Sequence, residues 1–178
     1  EGRPRVVRDI EPYAGAIVDI LLPGNFGADA LASLLCGEEN FSAKLPFTYP
    51  KYVNKFAVYD YKPAENQKTM AGDYNYNAVM DVQWPFGHGL SYTTFNYDNA
   101  QLSSTELADD QKVTLTIPVS NTGKMDGQEV VQVYLRRVGD TEGPSHALRA
   151  FKRTAIAQGE TKEVSFELAK DDFEWFDT

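Results

Sequence analysis

Residues 85–95 read Pro85-Phe86-Gly87-His88-Gly89-Leu90-Ser91-Tyr92-Thr93-Thr94-Phe95, and this stretch divides the chain. Two glycines flanked by aromatic residues permit positive φ or close backbone approach. The β-branched and aromatic residues that follow lead a constrained turn into a strand. Upstream lie a helix signal and a long polar segment; downstream lie only strand signals.

Upstream, Ala14–Leu22 is an apolar run rich in Ile, Val and Leu that stops at Pro23-Gly24, which predicts a strand buried on both faces. Ala28, Leu31, Ala32, Leu34 and Leu35 recur at helical spacing, with Gly37 as a C-terminal stop. Asp29 complements the positive end of that helix, a supporting role preferred to sugar contact. Cys36, the single cysteine, falls within the apolar helix pattern and is expected to be a buried, inert thiol. Leu45–Tyr49 predicts a short strand closed by Pro50.

From Lys51 to Trp84 no period is visible, and Asn, Asp, Gly, Lys and Tyr dominate, as in a long loop. Its rings include Tyr59, Tyr61, Tyr74, Tyr76 and Trp84, with Asp73 and Asp81 between them. Sugar faces stack on rings while hydroxyls bond to carboxylates, so Tyr74, Tyr76, Asp81 and Trp84 are candidate substrate-binding residues. The competing role for each ring is to pin the loop by burying its own area.

Downstream, Val113, Leu115, Ile117 and Val119 alternate with polar residues, as do Val131, Val133 and Leu135, and Val164, Phe166 and Leu168. Turn signals at Asn121-Thr122-Gly123, Gly139-Asp140 and Gln158-Gly159-Glu160 separate them, which predicts an antiparallel β-sandwich.

Composition narrows the function. A net charge of −9 with no clustered basic face excludes nucleic acid as an expected partner. An apolar content of 42% suits a globular core, and no run reaches the ~18 apolar residues of a membrane span. One cysteine provides neither a disulfide nor a metal cluster, so no metal or cofactor is expected. His88 is read as structural, its ring nitrogens bonded to nearby backbone. Ser91 lies outside a Gly-x-Ser-x-Gly elbow, which argues against a serine hydrolase. Asn40-Phe41-Ser42 fits a glycosylation acceptor.

Three ordered motifs carry a family resemblance: Pro23-Gly24-Asn25-Phe26-Gly27-Ala28-Asp29-Ala30, Leu45-Pro46-Phe47-Thr48-Tyr49-Pro50, and Pro85–Phe95. Together they resemble the C-terminal part of three-domain enzymes of glycoside hydrolase family 3, of the β-glucosidase and β-xylosidase type. The resemblance implies an α/β class followed by all-β. Residues 1–94 would form the C-terminal portion of an α/β sandwich domain, and 95–178 an immunoglobulin-like, fibronectin type III-like β-sandwich lacking its last strand. It implies retaining hydrolysis of terminal non-reducing β-linked sugars, with an oligosaccharide or glycoside substrate and upstream barrel and α/β domains of the same protein as partners. It also implies secretion or a periplasmic location, with no membrane partner.

The family's nucleophilic Asp and acid/base Glu match no position here, so catalytic roles are assigned to none of these residues and the chain alone is expected to be inactive. Glu1-Gly2-Arg3-Pro4 resembles the family's Gly-Arg-Pro after a central strand, so the isolated fragment is expected to self-associate on size exclusion. Two further readings stand beside this one: a free-standing carbohydrate-binding or adhesion module, and one piece of a two-chain enzyme. Saturable binding of cello- or xylo-oligosaccharides without hydrolysis would mark the first, and co-purification with a larger fragment the second.

Overall fold

The computed structural model describes residues 3–53, 59–60, 82–140 and 143–175, and the chain divides into two compact units. The division is not a single cut. Residues 40–43 cluster with the second unit, and 136–147, which connect two of its strands, cluster with the first. The class is α/β followed by all-β, as expected from sequence.

In the first unit a 3-10 turn, Glu11–Tyr13, precedes the apolar run. Ala14–Leu22 is not a strand, which corrects the expectation. Apolar composition makes a strand only where a neighbour supplies ladder partners, and among the described residues none pairs with this run. Ile17 to Leu21 are partly exposed instead, Leu22 is 80% exposed, and Leu21 sits at φ 46 with its N–H donated to Asp19 Oδ1.

The expected helix forms as α1, Gly27–Leu35, with Asp29 in its first turn. Its end closes with the N–H of Cys36 on Ala32 O, of Gly37 on Leu34 O and of Glu38 on Ser33 O. Gly37, at φ 74, provides the left-handed residue this closure requires. Cys36 is exposed, not buried. Two residues along a helix rotate the side chain by about 200°, so Cys36 faces away from the half-buried Leu34. Two short antiparallel strands, β1 (Tyr49–Pro50) and β2 (Val82–Trp84), pair with Tyr49 opposite Trp84 and Pro50 opposite Val82. The strand expected over Leu45–Tyr49 is thus displaced, and Pro50 belongs to it.

The second unit opens with β3 (Phe95–Tyr97) and β4 (Gln101–Leu102), followed by β5 (Lys112–Asn121), β6 (Gly127–Leu135), β7 (Ala147–Ile156) and β8 (Thr161–Ala169). β5 is the axis of one sheet. It pairs antiparallel with β3 (Phe95 opposite Asn121), with β4 (Leu102 opposite Leu115) and with β8 from Lys112–Ala169 to Ser120–Thr161. β6 and β7 form the other sheet. The period-two residues of β5, β6 and β8 point inward: Val119, Val131, Val133, Val164 and Phe166 form the core with Ile156 of β7, and Phe95, Leu115, Ile117, Leu135 and Ala150 pack against it. On the outer face, Thr116 pairs with Ser165 and Ser120 with Thr161 through their hydroxyls. β7 carries no clean alternation and was not among the strands read from sequence; Phe151 within it is 69% exposed.

One polar side chain sits within this apolar centre. Asn121, 1% exposed, donates its amide to Met125 O (2.9 Å) and Ile156 O (3.0 Å). Its Oδ1 accepts from the Thr93 hydroxyl (2.6 Å) and from Gly123 N (3.2 Å). The turn after β5, the end of β7 and the Ser-Tyr-Thr-Thr segment therefore converge on one amide. A Cβ on Gly123 would lie 2.7 Å from Thr94 N, and one on Gly127 would lie 2.7 Å from Thr93 Cγ2 and 2.9 Å from Phe95 Cζ. The β5–β6 connection accepts residues 93–95 only because these two positions lack side chains.

Asn121→Ala would leave buried carbonyls and the Thr93 hydroxyl without partners. It should cost about 2–3 kcal/mol of second-unit stability in urea unfolding, against about 1 kcal/mol for Thr93→Val. A loss for Asn121→Ala within about 0.5 kcal/mol of zero, the scatter of ordinary surface changes, would show that the amide is not the anchor.

Candidate functional site

Trp84 is the one sequence-selected site residue that the described structure contains; Tyr74, Tyr76 and Asp81 lie outside the described residues, as do Tyr61 and Asp73. Trp84 ends β2 and is half-buried. Its ring meets Tyr49 edge-on at 5.0 Å and lies parallel to His88, with 8° between planes and 6.3 Å between centroids. Tyr49 is buried, and Phe47 tilts against it at 5.9 Å. The Tyr49 hydroxyl donates to Arg5 O at 2.8 Å and accepts from Arg5 N at 3.2 Å, which fixes the ring beneath Trp84.

The turn carrying these rings is tied at several points. Leu45 N donates to His88 O, Gly87 N donates to Leu45 O, and His88 N donates to Pro85 O. Lys44 Nζ donates to Gly89 O at 2.9 Å. Of the two glycines in the turn, Gly87 takes a positive φ of 79. The expectation for His88 needs correction, because its backbone makes the bonds that its ring nitrogens were expected to make. Among the described residues the imidazole has no hydrogen bond and rests along Trp84. Burial, and then the Lys44 ammonium, hold its pKa below the ordinary value of 6.5.

A second ring set completes the unit. Tyr59 stacks on Phe86 at 4.5 Å and meets His146 edge-on at 6.4 Å. Tyr59 was recognised in sequence as a loop ring, whereas the His146 contact has no local signal, because it joins residues distant along the chain. Among the described residues no carboxylate hydrogen-bonds to Trp84 or His88, and no cluster of three metal-ligating groups occurs. The described arrangement offers aromatic faces for stacking.

Asn40 has a structural role. In the second unit its Nδ2 donates to Asp126 O at 2.9 Å, while Oδ1 accepts from Ser91 Oγ and from Tyr92 N. Phe41 packs edge-on against Tyr92 at 5.3 Å, and Arg153 donates to Ser42 Oγ. One of the two Nδ2 hydrogens is committed to Asp126 O, so the Asn40 side chain acts as a clamp within the second unit.

Residues 1–92 match the Glycosyl hydrolase family 3 C-terminal domain, and 129–178 match the Fibronectin type III-like domain. The chain belongs to glycoside hydrolase family 3.

It is 35% identical over 176 residues to a periplasmic beta-glucosidase of Salmonella typhimurium, covering 94% of this chain and 23% of that protein. A beta-xylosidase of Formosa agariphila is 34% identical over 172 residues, covering 96% and 24%. The solved β-glucosidase of Erythrobacter marinus superposes with a TM-score of 0.88 at 33% identity, over 99% of this chain and 23% of that one. The β-glucosidase of Listeria innocua in complex with glucose superposes with a TM-score of 0.82 at 28% identity, over 96% and 25%. The chain thus spans about a quarter of the length of these relatives. No helix among the described residues is long and apolar enough to cross a membrane.

Because the folded pKa of His88 lies below its unfolded value, the unfolded state takes up the proton first as pH falls. The stability that neutral His88 contributes is complete above about pH 6.5 and is lost as pH drops through its lower folded pKa. An NMR titration should give an imidazole midpoint below 6.5, and melting temperature should fall less steeply between pH 7 and 5 in His88→Gln. A midpoint at or above 6.5 would contradict the burial argument.

Proposed function

We propose that this chain is the C-terminal part of a retaining β-glycosidase, β-glucosidase-like, that hydrolyses terminal non-reducing β-linked sugars. The observation that carries the reading is the match over 94–96% of the chain to proteins named for β-glucosidase and β-xylosidase activity. Residues 1–94 are taken as the α/β portion and 95–178 as the β-sandwich, the whole fragment completing and buttressing the active-site domains of the parent protein. A retaining mechanism needs two carboxyl groups ~5 Å apart, one to attack the anomeric carbon and one to protonate the leaving oxygen. In this reading both come from upstream barrel and α/β domains of the same protein.

This chain supplies binding surface. Trp84, backed by Tyr49 and flanked by His88, presents a half-buried ring suited to the apolar face of a sugar. Tyr74, Tyr76 and Asp81 are proposed to contact the same substrate. Action on polysaccharide fragments, and the periplasmic relative, support a secreted or periplasmic location.

In the polypeptide that carries this chain, Trp84→Ala should raise KM for an aryl β-glucoside or β-xyloside about tenfold, by loss of stacking, with a smaller change in kcat. The 178-residue chain alone should leave both compounds intact. Turnover by the isolated chain, abolished by replacing one of its own carboxylates, would overturn the assignment.

A further inference from the structure

We infer that His146 is a positioning residue for the substrate-binding turn: through Tyr59 and Phe86 it holds the backbone that presents Trp84. The inference rests on the glycosidase reading and deepens it, because the sequence assigns residues 136–147 no role beyond the turn at Gly139-Asp140.

The pairing that carries Trp84 is weak by itself. Among the described residues β1 and β2 share two residue pairs, with a register irregularity between them, and a two-stranded ladder is marginal in water by itself. Tyr49 and His88 brace the Trp84 side of the turn. Phe86, two residues on, is braced by Tyr59 at 4.5 Å, and Tyr59 in turn by the edge of His146 at 6.4 Å. An edge-to-face ring pair fixes orientation as well as distance, since the ring quadrupoles favour that angle.

Two contacts lie in the segment that leads to His146. Asp140 Oδ1 accepts from Gly143 N at 2.9 Å, and Asp140 pairs with Arg137 at 3.8 Å. This segment connects β6 to β7 yet clusters with the first unit. A plain strand connection needs only a few residues; the additional length allows it to place a ring against Tyr59. Binding geometry at Trp84 therefore depends on a residue that touches no substrate.

The test uses the polypeptide that carries this chain and an aryl β-glucoside. His146→Ala should raise KM several-fold, with kcat within twofold of wild type and an unchanged melting temperature. His146→Phe, which retains an edge-on ring, should restore KM. On a Trp84→Ala background, His146→Ala should add nothing, because both changes act through one contact. An unmoved KM in His146→Ala, a KM change explained by a lowered melting temperature, failure of the Phe variant to restore KM, or full additivity with Trp84→Ala would each overturn the inference. A wild-type polypeptide inactive on both aryl glucoside and aryl xyloside would instead sink the glycosidase reading, so the two failures are distinguishable.

Discussion

The second unit depends on a primary amide kept out of water. A buried amide without partners costs several kcal/mol, whereas one with all its bonds made specifies a single arrangement. Asn121 joins the Thr93 hydroxyl, the Gly123 N–H, Met125 O and Ile156 O at one point. Slipping β5 by one residue would turn this amide outward and point Ser120 into the core. The amide therefore sets the register that brings Val119 and Phe95 into the apolar centre. It also explains the bare positions Gly123 and Gly127, where a methyl group would collide with Thr94, Thr93 or Phe95.

Asn40 repeats the logic on the same unit. It bonds Asp126 O, Ser91 Oγ and Tyr92 N, so a segment from far upstream is tied to the Ser-Tyr-Thr-Thr strand entry. Two amides thus grip the same stretch of chain, one from inside the core and one from its margin. That is the physical content of a motif that reads as generic turn and strand chemistry when considered alone.

The first unit is held differently. Its described ladder is minimal, and rings provide the order: Phe47, Tyr49, Trp84 and His88 in one row, Phe86, Tyr59 and His146 in another. Ring packing is less exacting about register than a buried amide but sensitive to the loss of any neighbour. A ring array built this way is tuned by the residues behind it, so the orientation of Trp84 depends on Tyr49 and His88 as much as on its own strand.

Local periodicity determined much of this protein. The alternation of β5, β6 and β8, the helix Gly27–Leu35 with its Gly37 stop, and the two-part class were all legible, because strand and helix burial follow a period of two or 3.6 residues. The family was legible in three ordered motifs. Tertiary structure alone decided the remainder. Among the described residues Ala14–Leu22 has no ladder partner although its composition invites one; Cys36 faces solvent although its neighbours are apolar; and β7 forms although its charges obscure any alternation. Asn40 clamps residues far along the chain, and the His88 ring lies along Trp84 although its backbone makes the bonds. In each case the outcome depends on which distant residue occupies the adjacent space, and one-dimensional spacing carries no record of that neighbour.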